Sequence, residues 1–485
     1  MAKVFLNTKD DLILELAKIV GPKAILYKRP DLVAYESDGF TLMSGVPRAV
    51  VFPNSTNEVQ RVVSFLYKNK TPFIPRGAGT GLSGGAIPQG GEVIISLTRM
   101  KRLLEVDLDN HFAVVEPGFV NLKLTHAISD KGYYYAPDPS SQQCCTIGGN
   151  VAENAGGAHC LKYGVTTNHI LGLEVVLPDG RIIQLGSHSG VQDMPGYDLL
   201  GLLTGSEGTL GIVTKITVRI LKNPQGKKTV LAYFDHVKDG SQAVSDIISA
   251  GIIPAALEMM DKIAIEGVEA AAFPVGHPKG LEAFLLIEVD GIEAGIDDQI
   301  QEILEVCKRN NVREVKVAKD EAERARWWAN RKTGFGAMGA ISPDYLVQDG
   351  VIPRSQLPTV LARIKQISEE YNLRIANIFH AGDGNLHPLI LFDARIEGEK
   401  ERAALAGSKC LKACADVGGS ITGEHGVGLE KKEEMRYIFT DEEIRAQTRI
   451  REVFNPEDLL NPGKLFPSPG KCVEVKAVNA TVVNH

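Results

Sequence analysis

The chain has 485 residues, 44% of them apolar and 23% charged, the balance of a globular protein with room for more than one core at roughly 150 residues per domain. Its 49 glycines and 24 prolines are too few for a low-complexity chain, and its apolar runs fall well short of the ~18 residues of a membrane helix. A net charge of -7 gives no global attraction for nucleic acid or anionic lipid, so any anion site must be local. The opening MAKVFLNTKDDLILELAKIV reads as an amphipathic helix rather than a signal peptide, and residues 1–45 form a helical lead. VPRAVVFP (46–53) predicts a strand. Ser55 and Glu58 then make a capping box for a helix whose Val59, Val62, Val63 and Leu66 share one face. Further strands are expected at TPFIP, VIISL, HFAVVEPG, GLEVVLPDG, RIIQLG and GIVTKITVRIL, which gives a first domain over 46–224.

KNPQGKK (222–228) is a polar break. Beyond it, strands at VLAYF, ALEMM and AFLLIEVD alternate with helices near 239–250, 294–310 and 355–371, a mixed α/β domain over 225–430. Residues 431–485 form a C-terminal helical segment, with a helix from about 433 to 460 that ends in LLNPGKLFP. The whole is α+β. The seven cysteines include no C-x-x-C, so the chain has no iron–sulfur or zinc-ribbon site of its own. Cys410 and Cys414 fit one helix face as small core residues in a cytosolic protein.

PRGAGTGLSGGA places five glycines in the nine residues from Gly77 to Gly85. Backbone N–H groups without Cβ obstruction make an anion nest suited to a pyrophosphate, and Arg76 adds a charge. The plain alternative is a surface loop. Gly79-x-Gly81-x-x-Gly84 is not a Rossmann fingerprint, because Pro88, Gly90 and Gly91 follow where a helix is required. A second cluster, DPSSQQCCTIGGNVAENAGGAHCLKYG (138–164), offers small residues and short donors for a flat hydrogen-bonding ligand. A third, TGSEGTLGIV, spans 204–213.

Together these segments resemble the flavin-binding domain of the vanillyl-alcohol oxidase / p-cresol methylhydroxylase type. The resemblance implies a two-part FAD-binding domain with a mixed α/β cap, or substrate, domain. It implies Arg76, Gly77, Ala78, Gly79, Thr80 and Gly81 as the pyrophosphate cradle, with Pro75 and Ser83 as further cofactor-binding residues. Pro139, Ser140, Thr146, Gly149, Asn150, Asn154 and Gly157 would line the flavin, with Glu207, Ile212 and Asn461 beside the cofactor. No histidine lies between 76 and 86, so FAD is expected to be noncovalent.

IANIFHAGDGNLHPLILF (375–392) reads as a hairpin on an Asp383-Gly384 type I′ turn. That register sets His380 opposite His387, close enough for two imidazoles to share a metal. The plain alternative is a polar pair near solvent. In SITGEHGVGLEKK (420–432), Glu424 and His425 lie between glycines, and a third ligand and a general base are conceivable there. No H-E-x-x-H occurs, which argues against a zinc protease.

With HAGDGNLHP, GEHGVGLEK and LLNPGK, the chain from about residue 10 to 470 resembles the family of bacterial glycolate oxidase flavin subunits and FAD-linked D-lactate dehydrogenases. The resemblance implies a divalent metal (zinc, manganese or iron) on His380, His387 and Glu424, with His425 as catalytic base. It also implies Arg331, in WWANRKTGF, as the clamp for the substrate carboxylate. Some members act on D-2-hydroxyglutarate. Here the neighbours Val347, Pro388 and Leu389 offer nothing for a second carboxylate, so glycolate or D-lactate is expected.

The implied reaction oxidises the 2-hydroxy acid to the 2-oxo acid, with metal-assisted deprotonation of the alcohol and hydride transfer to flavin N5. Electrons would leave to a partner chain, an iron–sulfur subunit or an electron-transfer flavoprotein, and on towards quinone. The expected location is cytoplasmic, with peripheral attachment at the inner membrane through partners. Two other readings are a flavin- and metal-binding subunit without turnover of its own and a metal-dependent hydrolase.

Overall fold

The computed structural model describes residues 8–187, 189 and 195–468. They divide into two units. The first takes the chain up to Asn223, then Glu424–Lys432 and Phe439–Phe466; the second takes Pro224–Gly423, Glu433–Ile438 and the residues from Pro467. The chain thus re-enters the first unit at Glu424, ahead of the 430/431 boundary read from the sequence.

The first unit holds two main sheets. In one, Ala49–Val51, Val93–Ser96 and Phe73–Arg76 run parallel, and Ile25–Leu26 adds an antiparallel edge. Helix Thr56–Lys68 covers it with Val59, Val62, Val63 and Leu66, all fully buried, each contributing roughly 1.5–3 kcal/mol of apolar burial. Ser55 caps the helix by accepting from the Glu58 N–H at 3.3 Å, while the Glu58 carboxylate takes the N–H of Asn54 instead of Ser55 at 2.8 Å. Helix Asp11–Val20 joins the same core through Ile13, Leu16, Ala17 and Val20.

The other sheet is antiparallel throughout, in the order Leu103–Asp107, Phe112–Val115, Ile212–Arg219, Ile170–Val176, Ile182–Gly186. One buried carboxylate ties this sheet to helix Thr56–Lys68. Glu174 accepts from Thr56 Oγ1 (2.7 Å), Thr214 Oγ1 (2.9 Å), Gln184 Nε2 (3.0 Å) and Lys215 Nζ (2.8 Å). Burial works to raise its pKa, but these donors outweigh burial and hold it down to about 2. A depressed carboxyl stabilises the fold fully above its unfolded value of 4.5, and the contribution disappears as pH falls towards about 2. Glu174→Gln should therefore cost on the order of 2 kcal/mol at neutral pH, after discounting for partial solvent screening. The gap from wild type should close in acid, as thermal melts at stepped pH would show; a gap independent of pH would contradict this reading.

The second unit is built on one large sheet in the order Glu314–Val317, Gly226–Phe234, Ala283–Gly291, Ala256–Asp261, Arg374–His380, Asn385–Leu386, Gly350–Val351. Pro388–Phe392 also pairs with Arg374–His380 and carries Asp344–Val347 beyond it. Among the described residues every pairing in this unit is antiparallel, so the expected alternation of strands and helices is realised there without parallel crossovers. Its long helices are Val237–Ser249, Ile296–Arg309, Leu357–Tyr371 and Glu399–Asp416. Cys410 and Cys414 are fully buried core residues of the last of these. In place of one helix over 433–460, a 3-10 turn at Glu434–Tyr437 precedes helix Asp441–Phe454. Thr440, extended and capping Glu443, restarts the chain there. Among the described residues no helix is long and apolar enough to cross a membrane.

Candidate functional site

In the first unit the three glycine clusters converge. Strand Phe73–Arg76 delivers Pro75 and Arg76 to the start of the first loop. Arg76 is buried and donates to the carbonyls of Ser37 (2.8 Å) and Ala86 (3.3 Å). Burial lowers its pKa, and Asp38 and Tyr35 offset part of that. Gly79 has φ +73°, and a Cβ there would meet Arg76 Nη2 at 2.2 Å. Among the described residues no acceptor meets the N–H groups of Gly77, Ala78, Gly79, Thr80 or Gly81. A run of unused backbone donors beside a buried guanidinium fits a pyrophosphate.

The second cluster packs directly against this loop. Thr146 Oγ1 caps helix Ile147–Glu153 by accepting from the Gly149 N–H, and it would lie 2.6 Å from a Cβ on Gly77. Ser140 is exposed, Pro139 is buried, and Gly157 at φ +151° lies so close to Asp138 that a Cβ would stand 2.6 Å from its carbonyl. Asn154 adopts a left-handed backbone and accepts from the Thr167 N–H at 2.8 Å. The third cluster docks on the end of the same helix, with the Gly205 and Glu207 N–H groups donating to Val151 and Ala152.

Three expected cofactor contacts have their side chains engaged in holding the protein together. The Asn150 side chain is engaged by Asn121 and Cys145. Ile212 is a core residue, 1% exposed. Asn461 Nδ2 fastens two loops by donating to the carbonyls of Glu207 (2.8 Å) and Gly85 (3.1 Å). Ser83 is buried, and its carbonyl accepts from the Leu429 and Glu430 N–H groups. Glu424 and His425 belong to this unit. The Glu424 carboxylate would stand 2.9 Å from a Cβ on Gly156, and it approaches the His425 ring to 4.0 Å.

The second unit contributes His380, His387 and Arg331. The hairpin register differs from the expectation: His380 pairs with Asn385, not with His387, and Asn377 pairs with Pro388. The loop is the four residues 381–384, and only Gly384 has positive φ, whereas a type I′ turn needs it at both central positions. The shift is by two residues, so both histidines keep the same face. Their rings stand 5.1 Å apart at 83°. Val347 and Leu389 are partners within the sheet.

A carboxylate missed in the sequence joins these groups. Glu258, on Ala256–Asp261, is fully buried; its Oε1 meets His380 Nδ1 at 2.7 Å and its Oε2 pairs with the buried Arg331. Burial works to raise the Glu258 carboxyl, but Arg331, His380 and His387 leave it below the usual value. Holding Nδ1 leaves Nε2 as the nitrogen that His380 could offer to a metal, the arrangement by which a carboxylate orients a metal-bound imidazole. Arg331 Nε has no hydrogen-bond partner among the described residues. Asp349, also missed, lies 3.4 Å from His387 Nε2 and accepts from Thr422 Oγ1 (2.5 Å) and the Gly423 N–H (2.9 Å). A lone acid within apolar ALEMM was the available signal for Glu258; Asp349-Gly350 looks like an ordinary turn. Two imidazoles with a carboxylate behind one of them suit a borderline divalent cation.

Known proteins bear on both units. Residues 47–186 match the family described as "FAD binding domain", and 223–465 match "FAD linked oxidases, C-terminal domain". The chain is 45% identical over 471 residues to glycolate oxidase subunit GlcD of Escherichia coli (strain K12), covering 97% of this chain and 94% of that protein. It is 34% identical over 473 residues to a D-lactate dehydrogenase of Anaerostipes hadrus, covering 96% and 99%. A solved structure of p-cresol methylhydroxylase with substrate bound superposes with a TM-score of 0.80 at 18% identity, over 96% of this chain and 98% of that one. That likeness establishes the fold, the FAD-binding architecture of the vanillyl-alcohol oxidase type. Family matches in both halves, with relatives of such identity along almost all of the sequence, show that the chain belongs to the FAD-linked oxidases, as an oxidoreductase of the group of glycolate oxidase flavin subunits and D-lactate dehydrogenases.

Proposed function

We propose that the chain oxidises a small 2-hydroxy monocarboxylate, glycolate or D-lactate, to the 2-oxo acid. The observation that carries this reading is the buried chain Arg331–Glu258–His380 with His387 beside it. It presents a guanidinium for a carboxylate next to two imidazoles for a cation. Noncovalent FAD, held by Arg76 and the free N–H groups of the first loop, would supply the hydride-accepting chemistry. A divalent cation on His380 and His387, with Glu424 as the further ligand that the family resemblance implies, would supply Lewis acidity. Arg331 holds the substrate carboxylate, and His425 accepts the proton of the 2-hydroxyl. Electron transfer to a partner chain, an iron–sulfur subunit or an electron-transfer flavoprotein, completes turnover; the E. coli relative is itself a glycolate oxidase subunit, which supports that assignment. The chain is assigned to the cytoplasm, held at the inner membrane by such partners.

The test is the visible spectrum of the purified, metal-supplied protein under anaerobic conditions. Glycolate or D-lactate should bleach the flavin band, and His425→Ala should retain the flavin yet slow bleaching about 100- to 10,000-fold. Bleaching by D-2-hydroxyglutarate alone would replace the substrate assignment. A spectrum unchanged by every 2-hydroxy acid would end the proposal.

A further inference from the structure

The segment that carries His425 is held by carboxylates to which the reaction above gives no part. Glu207, at φ 51°, spends both oxygens on that segment: Oε1 accepts the Val427 N–H at 2.6 Å and Oε2 the Gly428 N–H at 2.7 Å. Gly426, next to His425, has φ +82°. A Cβ on it would stand 2.3 Å from Glu153 Oε2 and 2.8 Å from Glu207 Oε1, so two carboxyl groups face the step from His425 to Val427. Glu153 also reaches the cofactor loop, its Oε1 lying 3.1 Å from the place of a Cβ on Gly85.

Other groups close around the same segment. Lys431 Nζ donates to the Gly426 carbonyl at 3.1 Å, and Lys464 Nζ donates to the carbonyls of Gly85 and Ile87. Burial, then Glu207 and Asp38, push the Glu153 carboxyl well up, while Lys431 and Lys464 draw it down.

We infer that Glu207 is a positioning residue for His425: through the N–H groups of Val427 and Gly428, with Glu153 beside it, it fixes the segment on which the base is carried. Nothing in this role requires Glu207 to touch the cofactor. The inference rests on the reading of His425 as the base. Its effect belongs in the rate of proton removal rather than in substrate affinity, since a small displacement of a reacting group is enough to slow a reaction.

The experiment compares wild type, E207Q, H425A and the double variant as FAD-loaded, metal-supplied proteins by anaerobic stopped flow. E207Q should keep its flavin and lower the limiting rate of flavin reduction about 10- to 100-fold, with the half-saturating concentration changed by less than about threefold. In the H425A background E207Q should lower the residual rate no further, the coupling expected of a group that acts through another. Hydrogen exchange supplies a readout independent of activity: the Val427 and Gly428 amides should exchange about tenfold faster or more in E207Q, with or without FAD. If E207Q yields no folded protein, E207D makes the same comparison with charge kept and reach shortened. Unreduced wild-type flavin, or full-rate H425A, would overturn the assignment of the base and this inference with it. Reduced wild type and slow H425A, combined with a full-rate E207Q, additive losses, FAD release or unchanged exchange, would overturn this inference alone.

Discussion

Glu258→Ala should destabilise the protein by about 3–5 kcal/mol, because it leaves the Arg331 guanidinium buried without its counter-charge. The carboxylate is fully buried, and it meets the guanidinium on one oxygen and His380 on the other. Removing one partner of such a pair costs far more than removing a surface charge, where losses stay near 1 kcal/mol. Denaturant unfolding of the purified protein measures it, and a loss below about 1 kcal/mol would show that Arg331 finds another partner. Glu258→Gln separates two effects. It keeps the shape and should cost less stability, but the weaker acceptor frees His380 to turn. Metal content by elemental analysis should then fall with either variant, by about 10- to 100-fold in affinity.

Arg331→Lys should lower kcat/KM for the 2-hydroxy acid about 100- to 1,000-fold while leaving the flavin bound. The planar guanidinium can face Glu258 with one edge and still offer further donors to a substrate carboxylate. A lysine ammonium is a point charge that Glu258 would draw to itself. The loss should fall mainly on the concentration dependence of flavin reduction, because a carboxylate clamp acts on ground state and transition state alike. A change of less than about threefold would remove Arg331 as the clamp.

Much of the first unit can be read locally. Positions such as Gly77, Gly79 and Gly157 must lack a Cβ because another group stands where it would be, and such crowding leaves a mark in the sequence as clustered glycine. The helix face of Val59, Val62, Val63 and Leu66 is equally local. The hairpin was harder. Asp383-Gly384 invites a two-residue turn, but only the glycine takes positive φ, and the two extra loop residues shift the partner of His380 to Asn385. Glu258 and Asp349 were illegible for a different reason. Each matters through groups far away in sequence, Arg331 and His380 for one and His387, Thr422 and Gly423 for the other. No spacing rule links an acid on one strand to a histidine 122 residues later. The side-chain amides of Asn150 and Asn461 likewise hold other parts of the protein, contacts that no local pattern announces.

The edge of the first parallel sheet bears on how the chain is made. The Phe73 N–H donates to the Leu459 carbonyl, and the Asn461 N–H donates to the Phe73 carbonyl. The strand that opens the glycine loop is therefore flanked by residues synthesised almost 400 positions later. On the ribosome, the second unit has all of its sheet strands before the first has its last edge. Until residues 459–461 are in place, the glycine loop hangs from a sheet with an unpaired border. A chain cut short of Asn461 would leave that strand, and the glycine loop it opens, without their border.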